Sequence, residues 1–170
     1  PGNISFKGNG SMKDQFSDLA FKGLIQTSNL KVAQIIGEGI EADNLYLAAQ
    51  AGVEIKRDKP LRAYADGNIN SVRYKDYVYE NLHINGLYSG SDIVARVTSN
   101  TEENEFVVDA DLSFGERMKF NVDAVIDKLK LSPLVNVEQW DNPYLTTRIN
   151  TELEGASIDE LAGLVVLDST

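Results

Sequence analysis

Three aspartates are the residues whose type and spacing come nearest to supporting chemistry. Asp109, Asp111 and Asp123 are carboxylates of the kind that glycosidases use as an acid–base pair and that calcium takes as ligands. Each alternates with apolar neighbours, and the sequence has no Asp-x-Asp-x-Asp-Gly loop. Successive side chains of a strand point to opposite faces. The pattern therefore predicts that these carboxylates lie on the solvated face of strands.

The sequence has few of the histidine and cysteine residues that metal sites and nucleophilic centres use. It has one histidine, His83, and no cysteine, which rules out a multi-histidine zinc site and a thiolate site. His83 lies opposite the apolar positions of its segment, which predicts a solvent-facing side chain. Residues 8–10 read Gly-Asn-Gly, but no helix follows them as a phosphate-binding loop requires. We expect a protein that is not an enzyme and carries no cofactor or metal.

Charge and composition argue against two further classes. The net charge is −10 and the lysines and arginines are scattered, so we expect no nucleic-acid partner. No apolar run approaches the roughly 18 residues of a membrane-spanning helix. Residues 1–8 lack the charged and apolar regions of a signal peptide. We expect residues 1–170 to be a single β-rich segment of a larger repeat protein.

Alternation of apolar and polar residues is the strongest structural signal. It is clear in residues 45–56, 106–114, 117–124 and 145–153. Weaker alternation covers residues 5–8, 18–26, 61–71, 77–88, 93–99 and 164–168. Together these segments predict about ten strands. Strands with one dry face are typical of antiparallel sheets.

Turn and helix signals interrupt the strands. Turn-forming residues occur at 66–68, 85–86, 89–92, 100–104 and 114–117. Apolar residues at helical spacing predict short helical turns at 29–37 and 127–135, and a capping box predicts another at 157–161. Phe21 and Phe120 precede similar apolar runs, which predicts an internal repeat of about 19–56 and 118–155.

These elements predict an all-β fold, mainly antiparallel, with two or three short helical turns. It would be a long curled sheet, taco-like or sandwich-like, built from repeats. The dry side of the sheet is predicted to form either an open trough or a closed core. Its residues are Leu45, Leu47, Val53, Ile55, Phe106, Val108, Leu112, Phe114, Met118, Phe120, Val122, Leu145, Ile149 and Leu153.

Four tracts resemble the interior of translocation and assembly module TamB proteins, of the AsmA-like superfamily. They are residues 30–36, 77–88, 125–135 and 153–163, and the likeness extends over about 18–170. It lies in apolar patterns and glycines, with no chemical signature. The resemblance implies a large envelope protein of diderm bacteria, periplasmic and anchored in the inner membrane by a helix that this chain lacks.

The resemblance also implies a function and partners. Sheets of this family curl into an apolar trough, and its members act in phospholipid transport and outer-membrane protein assembly. The expected partners are phospholipid acyl chains or an outer-membrane protein client, and a barrel in the outer membrane contacted through parts outside this chain. From the residues themselves we add that a free sheet edge can pair with another copy.

A different class of protein fits the same strands. An extracytoplasmic β-sandwich that binds carbohydrate or protein would have a closed core and an aromatic surface patch. Tyr74, Tyr77, Tyr79 and Tyr88 are the candidates for that patch, although packing within the fold is the simpler interpretation. Trp140, in a predicted loop, is expected to cap the end of a core.

Overall fold

The protein is described by a computed structural model that covers residues 2–13, 18–31, 42–74, 77–131 and 144–168. The strands are β1 (Asn3–Lys13), β2 (Asp18–Ser28), β3 (Ala42–Lys56), β4 (Arg62–Tyr74), β5 (Tyr77–Ser89), β6 (Asp92–Asn100), β7 (Asn104–Phe114), β8 (Met118–Lys130), β9 (Tyr144–Gly155) and β10 (Ala162–Asp168). They lie where the alternation predicts them. The expectation of an all-β, antiparallel, curled sheet is confirmed.

The strands form a single meandering sheet. Each strand pairs antiparallel with its neighbours in the chain, in the order β1 to β10. Short turns such as residues 90–91, 101–103 and 115–117 make this order the direct outcome of folding each hairpin in sequence. With about 4.8 Å between strands, ten strands span about 45 Å. The sheet is open, and β1 and β10 are the outermost strands of its described part.

The described residues form one layer rather than a sandwich. None of their side chains is less than 2% exposed, and the buried apolar ones are Leu30, Ala49, Leu82, Ala124 and Ile126. Of the two shapes that the sequence predicts, the structure shows the open curled sheet. The described part of the chain therefore leaves much of its apolar surface only partly covered.

Two of the turn predictions are wrong. Residues 66–68 lie inside β4 and residues 85–86 lie inside β5. A Cβ atom on Gly67 would lie 2.3 Å from the Cα atom of Ala49 on β3, so this glycine serves a close approach of two strands. The turn predictions at 89–92, 100–104 and 114–117 coincide with hairpin turns.

The helix predictions have mixed outcomes. Residues 127–130 continue strand β8, because Lys128 and Leu129 pair with Glu105 and Asn104 of β7; the helical turn predicted there is wrong for these residues. Leu30 forms an isolated bridge with Leu45. Residues 32–37 and 132–135 of the two predicted turns lie outside the described residues. At Ile158–Glu160 the predicted turn is present as one turn of 3-10 helix.

The predicted repeat coincides with two similar pairs of strands. Residues 19–56 hold β2 and β3, and residues 118–155 hold β8 and β9. Each pair is antiparallel and directly adjacent in the sheet. The repeat itself stays a prediction.

Candidate functional site: an apolar sheet face

One row of paired residues crosses the sheet without a charged side chain. Phe21 pairs with Val53, and Phe120 pairs with Leu153. Paired residues of antiparallel strands point to the same side of a sheet. From β1 to β10 the row is Gly10, Phe21, Val53, Ala63, Tyr88, Ile93, Leu112, Phe120, Leu153 and Gly163. We call this side of the sheet the apolar face.

The next two rows of this face are equally free of charge. The first is Gly8, Gly23, Ala51, Ala65, Gly86, Ala95, Ala110, Val122, Thr151 and Val165. The second is Phe6, Ile25, Ala49, Gly67, Ile84, Val97, Val108, Ala124, Ile149 and Leu167. From β1 to β7 the first row holds only glycine and alanine. The backbone of these strands is therefore covered only by small side chains along this row.

All of the dry-side positions predicted from the sequence lie on the apolar face. Strand alternation and pairing place on it Leu45, Leu47, Val53, Ile55, Phe106, Val108, Leu112, Phe114, Met118, Phe120, Val122, Leu145, Ile149 and Leu153. None of them is fully buried, and Val53, Ile55 and Phe114 are 38%, 43% and 40% exposed. The rings of Phe114 and Phe120 pack edge to face, with centroids 5.4 Å apart.

Side chains of the apolar face are more fully covered at one end of the strands than at the other. We call the more covered end the deep end. Leu82, Ile126 and Thr147 lie on one row and are 9%, 7% and 8% exposed. Near the opposite ends of the strands, Met12 is 54% exposed and Phe114 is 40% exposed. The face therefore opens to solvent where β1, β3 and β7 end.

The opposite side of the sheet, which we call the polar face, carries a ladder of paired side chains. Asn85 donates a hydrogen bond to Asp66 (2.6 Å), Arg96 lies 3.5 Å from Asp109, and Asn150 donates to Asp123. As predicted, Asp109, Asp111 and Asp123 lie on this solvated side. No group of three metal-ligating side chains occurs among the residues that the structure describes.

His83 also lies on the polar face. Its side chain is 45% exposed, and its Nδ1 and Nε2 atoms lie 3.1 Å from Asn68 and 3.8 Å from Asp66. The predicted solvent-facing orientation is confirmed.

The polar face also contains a hollow that the sequence did not predict. Tyr64 is 46% exposed and its ring lies on Gly52, where a Cβ atom would come within 2.3 Å of the ring. Beside it is a depression of about 510 Å³ that also touches Lys22, Arg62 and Leu87. A tyrosine that faces a glycine on the paired strand would indicate such a hollow. The sequence alone does not give the strand register that sets the two residues opposite each other.

A polar network closes the deep end of the sheet around the tip of the β6–β7 hairpin. Tyr77 donates its hydroxyl hydrogen to Glu103 (2.6 Å), and the Asn104 side-chain amide donates to the Tyr77 oxygen (3.0 Å). Lys130 forms an ion pair with Glu103, and its backbone N–H donates to the Asn104 side-chain oxygen (3.2 Å). Asn104 is only 4% exposed. Its position at the hairpin tip gave no sign of this role.

The network shifts the pKa values of its members in consistent directions. Burial, followed by the hydrogen bond to Glu103, raises the pKa of Tyr77 to about 12. Hydrogen bonds from Lys130 and then Tyr77 lower the pKa of Glu103. The same contact with Glu103 raises the pKa of Lys130. The network is therefore most stable with Glu103 ionised, Lys130 charged and Tyr77 neutral.

Asn81 explains how two tyrosines of the predicted aromatic patch become half-buried. Its φ of 55° interrupts the alternation of β5. Before Asn81 the odd positions Tyr77 and Tyr79 are the covered ones, and after it the even positions Leu82 and Ile84 are. The two tyrosine rings pack edge to face at 4.7 Å. Trp140 lies outside the described residues.

Comparisons with known proteins give no independent assignment: no family model, no curated protein and no solved structure matches this chain. Within the described residues, no helix is long and apolar enough to span a bilayer.

Proposed function

We propose that this chain is a non-catalytic scaffold of the diderm envelope whose apolar face shelters the acyl chains of phospholipid. One observation carries the proposal: in the part of the chain described, an uncharged face runs across all ten strands and is not covered by a second layer of sheet. Large uncovered apolar surfaces on soluble proteins usually mark a binding site.

Acyl chains suit this surface physically. Each CH₂ group removed from water contributes about 0.8 kcal/mol. Contact between aliphatic groups is not directional, so a chain can slide along the apolar face. An unfolded strand of an outer-membrane protein would also need backbone partners. The apolar face offers side chains, which favours lipid.

The same proposal places the chain within a TamB-type protein of the AsmA-like superfamily, in the periplasm. Its support is the resemblance of the apolar patterns together with the open, curled shape of the sheet. As the resemblance implies, we also propose that the full-length protein has an outer-membrane barrel as its partner and an anchor in the inner membrane.

Lipid binding can be tested by native mass spectrometry of the chain mixed with phosphatidylethanolamine. We expect lipid adducts on the parent and on Val125→Asp, whose side chain is 41% exposed on the polar face. We expect their loss in Phe114→Asp, which is 40% exposed on the apolar face. Circular dichroism checks that both variants fold. A parent without adducts, or equal loss in both variants, would contradict the proposal.

A further inference from the structure

The hollow beside Tyr64 on the polar face is built on interior strands. One row of paired residues crosses it from β2 to β5, and its members are Lys22, Gly52, Tyr64 and Leu87. Each of these four strands is paired on both sides with another described strand. The residues that shape the hollow are therefore held in register from both directions.

Tyr64 places an aromatic ring in the hollow because Gly52 has no side chain. The Cε1, Cζ and hydroxyl oxygen atoms of Tyr64 lie 2.3, 2.8 and 2.9 Å from the position that a Gly52 Cβ atom would take. Tyr64 is nevertheless 46% exposed, and the neighbouring Leu87 is 37% exposed. The ring is thus held over β3 with surface left open to a ligand. The C–H groups of a sugar ring pack well on the electron-rich face of such an aromatic ring.

Two cations without ion-pair partners flank this ring. Lys22 and Arg62 both line the hollow, and neither makes an ion pair with another described residue. Glu54 is the single carboxylate among the described lining residues, and it is paired with Lys56 at 2.5 Å. The positive charges of Lys22 and Arg62 therefore remain available to a ligand.

The charge of the neighbouring turn also favours an anion. The chain has a net charge of −10, yet residues 56–62 hold four basic residues against one acid, Asp58. This stretch joins β3 to β4, ends at Arg62 beside the hollow, and is exposed over residues 57–62. A basic patch attracts small anions. The negative charge of the whole chain disfavours a long polyanion such as a nucleic acid.

From these observations we propose that the hollow binds an acidic sugar, a saccharide that carries a carboxylate or a phosphate group. Its ring stacks on Tyr64, and its anionic group is bound by Lys22 and Arg62. Arg62 lies two residues from Tyr64 along β4, about 7 Å away, and Lys22 lies two strands from it, about 10 Å away. Both long side chains reach a substituent of a stacked ring from these positions. The hollow is on the opposite side of the sheet from the apolar face, so this proposal does not depend on lipid binding.

A titration of the whole chain followed by NMR chemical shifts is the first test. The probes are galacturonic acid and galactose 6-phosphate, with galactose and inorganic phosphate as matched controls. We expect the acidic sugars to shift the amide signals of Gly52 and Leu87 with a Kd of about 1 mM, and each control to bind at least about tenfold more weakly. No saturable shift with either acidic sugar up to about 20 mM would overturn the proposal. Equal binding of galactose, or of phosphate, would overturn it as well.

Variants of the ring test the stacking. Tyr64→Ala should weaken the binding of the acidic sugars by about tenfold, whereas Tyr64→Phe keeps the ring and should bind like the parent. Tyr46→Ala is the matched control, because Tyr46 is 40% exposed on β3 and does not line the hollow. Unchanged binding in Tyr64→Ala, or an equal loss in Tyr46→Ala, would contradict stacking on Tyr64.

A charge variant tests recognition of the anionic group without altering the ring. Arg62→Gln at an exposed position should remove most of the preference for galacturonic acid over galactose, because glutamine has no charge to pair with the carboxylate. Arg96→Gln, which removes a cation of the polar face outside the hollow, should keep that preference. If Arg62→Gln keeps it too, the assignment of the cationic group is wrong. Circular dichroism confirms that each variant is folded.

Discussion

The side-chain amide of Asn104 donates a hydrogen bond to the hydroxyl of Tyr77 across 3.0 Å, although 27 positions separate the two residues in the chain. The contact joins the start of β5 to the tip of the β6–β7 hairpin. Through its oxygen, Asn104 also accepts a hydrogen bond from the backbone of Lys130 on β8. One buried amide thus connects three segments of a sheet that has few buried side chains.

Removal of that amide should destabilise the fold. Asn104→Ala removes the donor to the Tyr77 oxygen and the side-chain acceptor of the Lys130 N–H in a covered region, while Tyr77 keeps its bond to Glu103. We expect a loss of about 2 kcal/mol in the free energy of unfolding. Asn100→Ala, at an exposed position of the same hairpin, should change it by less than about 0.5 kcal/mol. Urea denaturation followed by circular dichroism measures both, and equal effects would contradict the role of Asn104.

Stability should fall at acid pH partly through Glu103. Its pKa in the folded state is lowered from 4.5, chiefly by Lys130, so folding favours the ionised carboxylate. This stabilisation is fully present above pH 4.5 and is lost as the pH falls through the lowered pKa. Urea denaturation between pH 3 and 7 should show a shallower acid loss for Glu103→Gln than for the parent. Glu105→Gln, an exposed neighbour, should follow the parent.

Stability should fall at alkaline pH through Tyr77. Burial raises its pKa from 10.0 to about 12, so the folded chain keeps the phenolic proton that the unfolded chain loses. The free energy of unfolding should therefore decline between pH 10 and about 12. Tyr77→Phe should reduce this decline in the same denaturation experiment, and an unchanged alkaline slope would show that other groups cause it.

The strands and the apolar face were predictable because both depend on local alternation. Val53, Phe106 and Leu153 each follow a period of two within their own segment, so their common side follows once the strands pair. Glycine gave misleading signals, since Gly67 serves a close approach to Ala49 that is visible only when β3 and β4 are side by side.

The polar network could not be predicted, because it depends on two irregularities. The left-handed conformation of Asn81 changes which side chains of β5 are covered. A register shift between β7 and β8 sets Leu129 opposite Asn104 and so brings Lys130 to the network. Neither irregularity has a residue pattern of its own, since asparagine and aspartate are also common in turns.

Two glycines of the apolar face should respond to alanine in opposite ways. A Cβ atom on Gly67 would lie 2.3 Å from the Ala49 Cα atom, whereas one on Gly86 meets nothing closer than 3.8 Å. We expect Gly67→Ala to cost about 1–3 kcal/mol through overpacking. Gly86→Ala should gain about 0.5 kcal/mol, because alanine loses less backbone freedom on folding. Urea denaturation decides, and a gain in Gly67→Ala would contradict the close approach.

The depth of the apolar face can be measured with two neighbouring residues of β8. Ile126 is 7% exposed on the apolar face, and Val125 is 41% exposed on the polar face. Ile126→Ala should lower the free energy of unfolding by about 2–4 kcal/mol, because it removes buried aliphatic groups and leaves a cavity. Val125→Ala should cost less than about 1 kcal/mol, since its side chain is already partly in water. If both substitutions cost the same, the two faces are covered alike, and the deep end of the apolar face does not exist in solution.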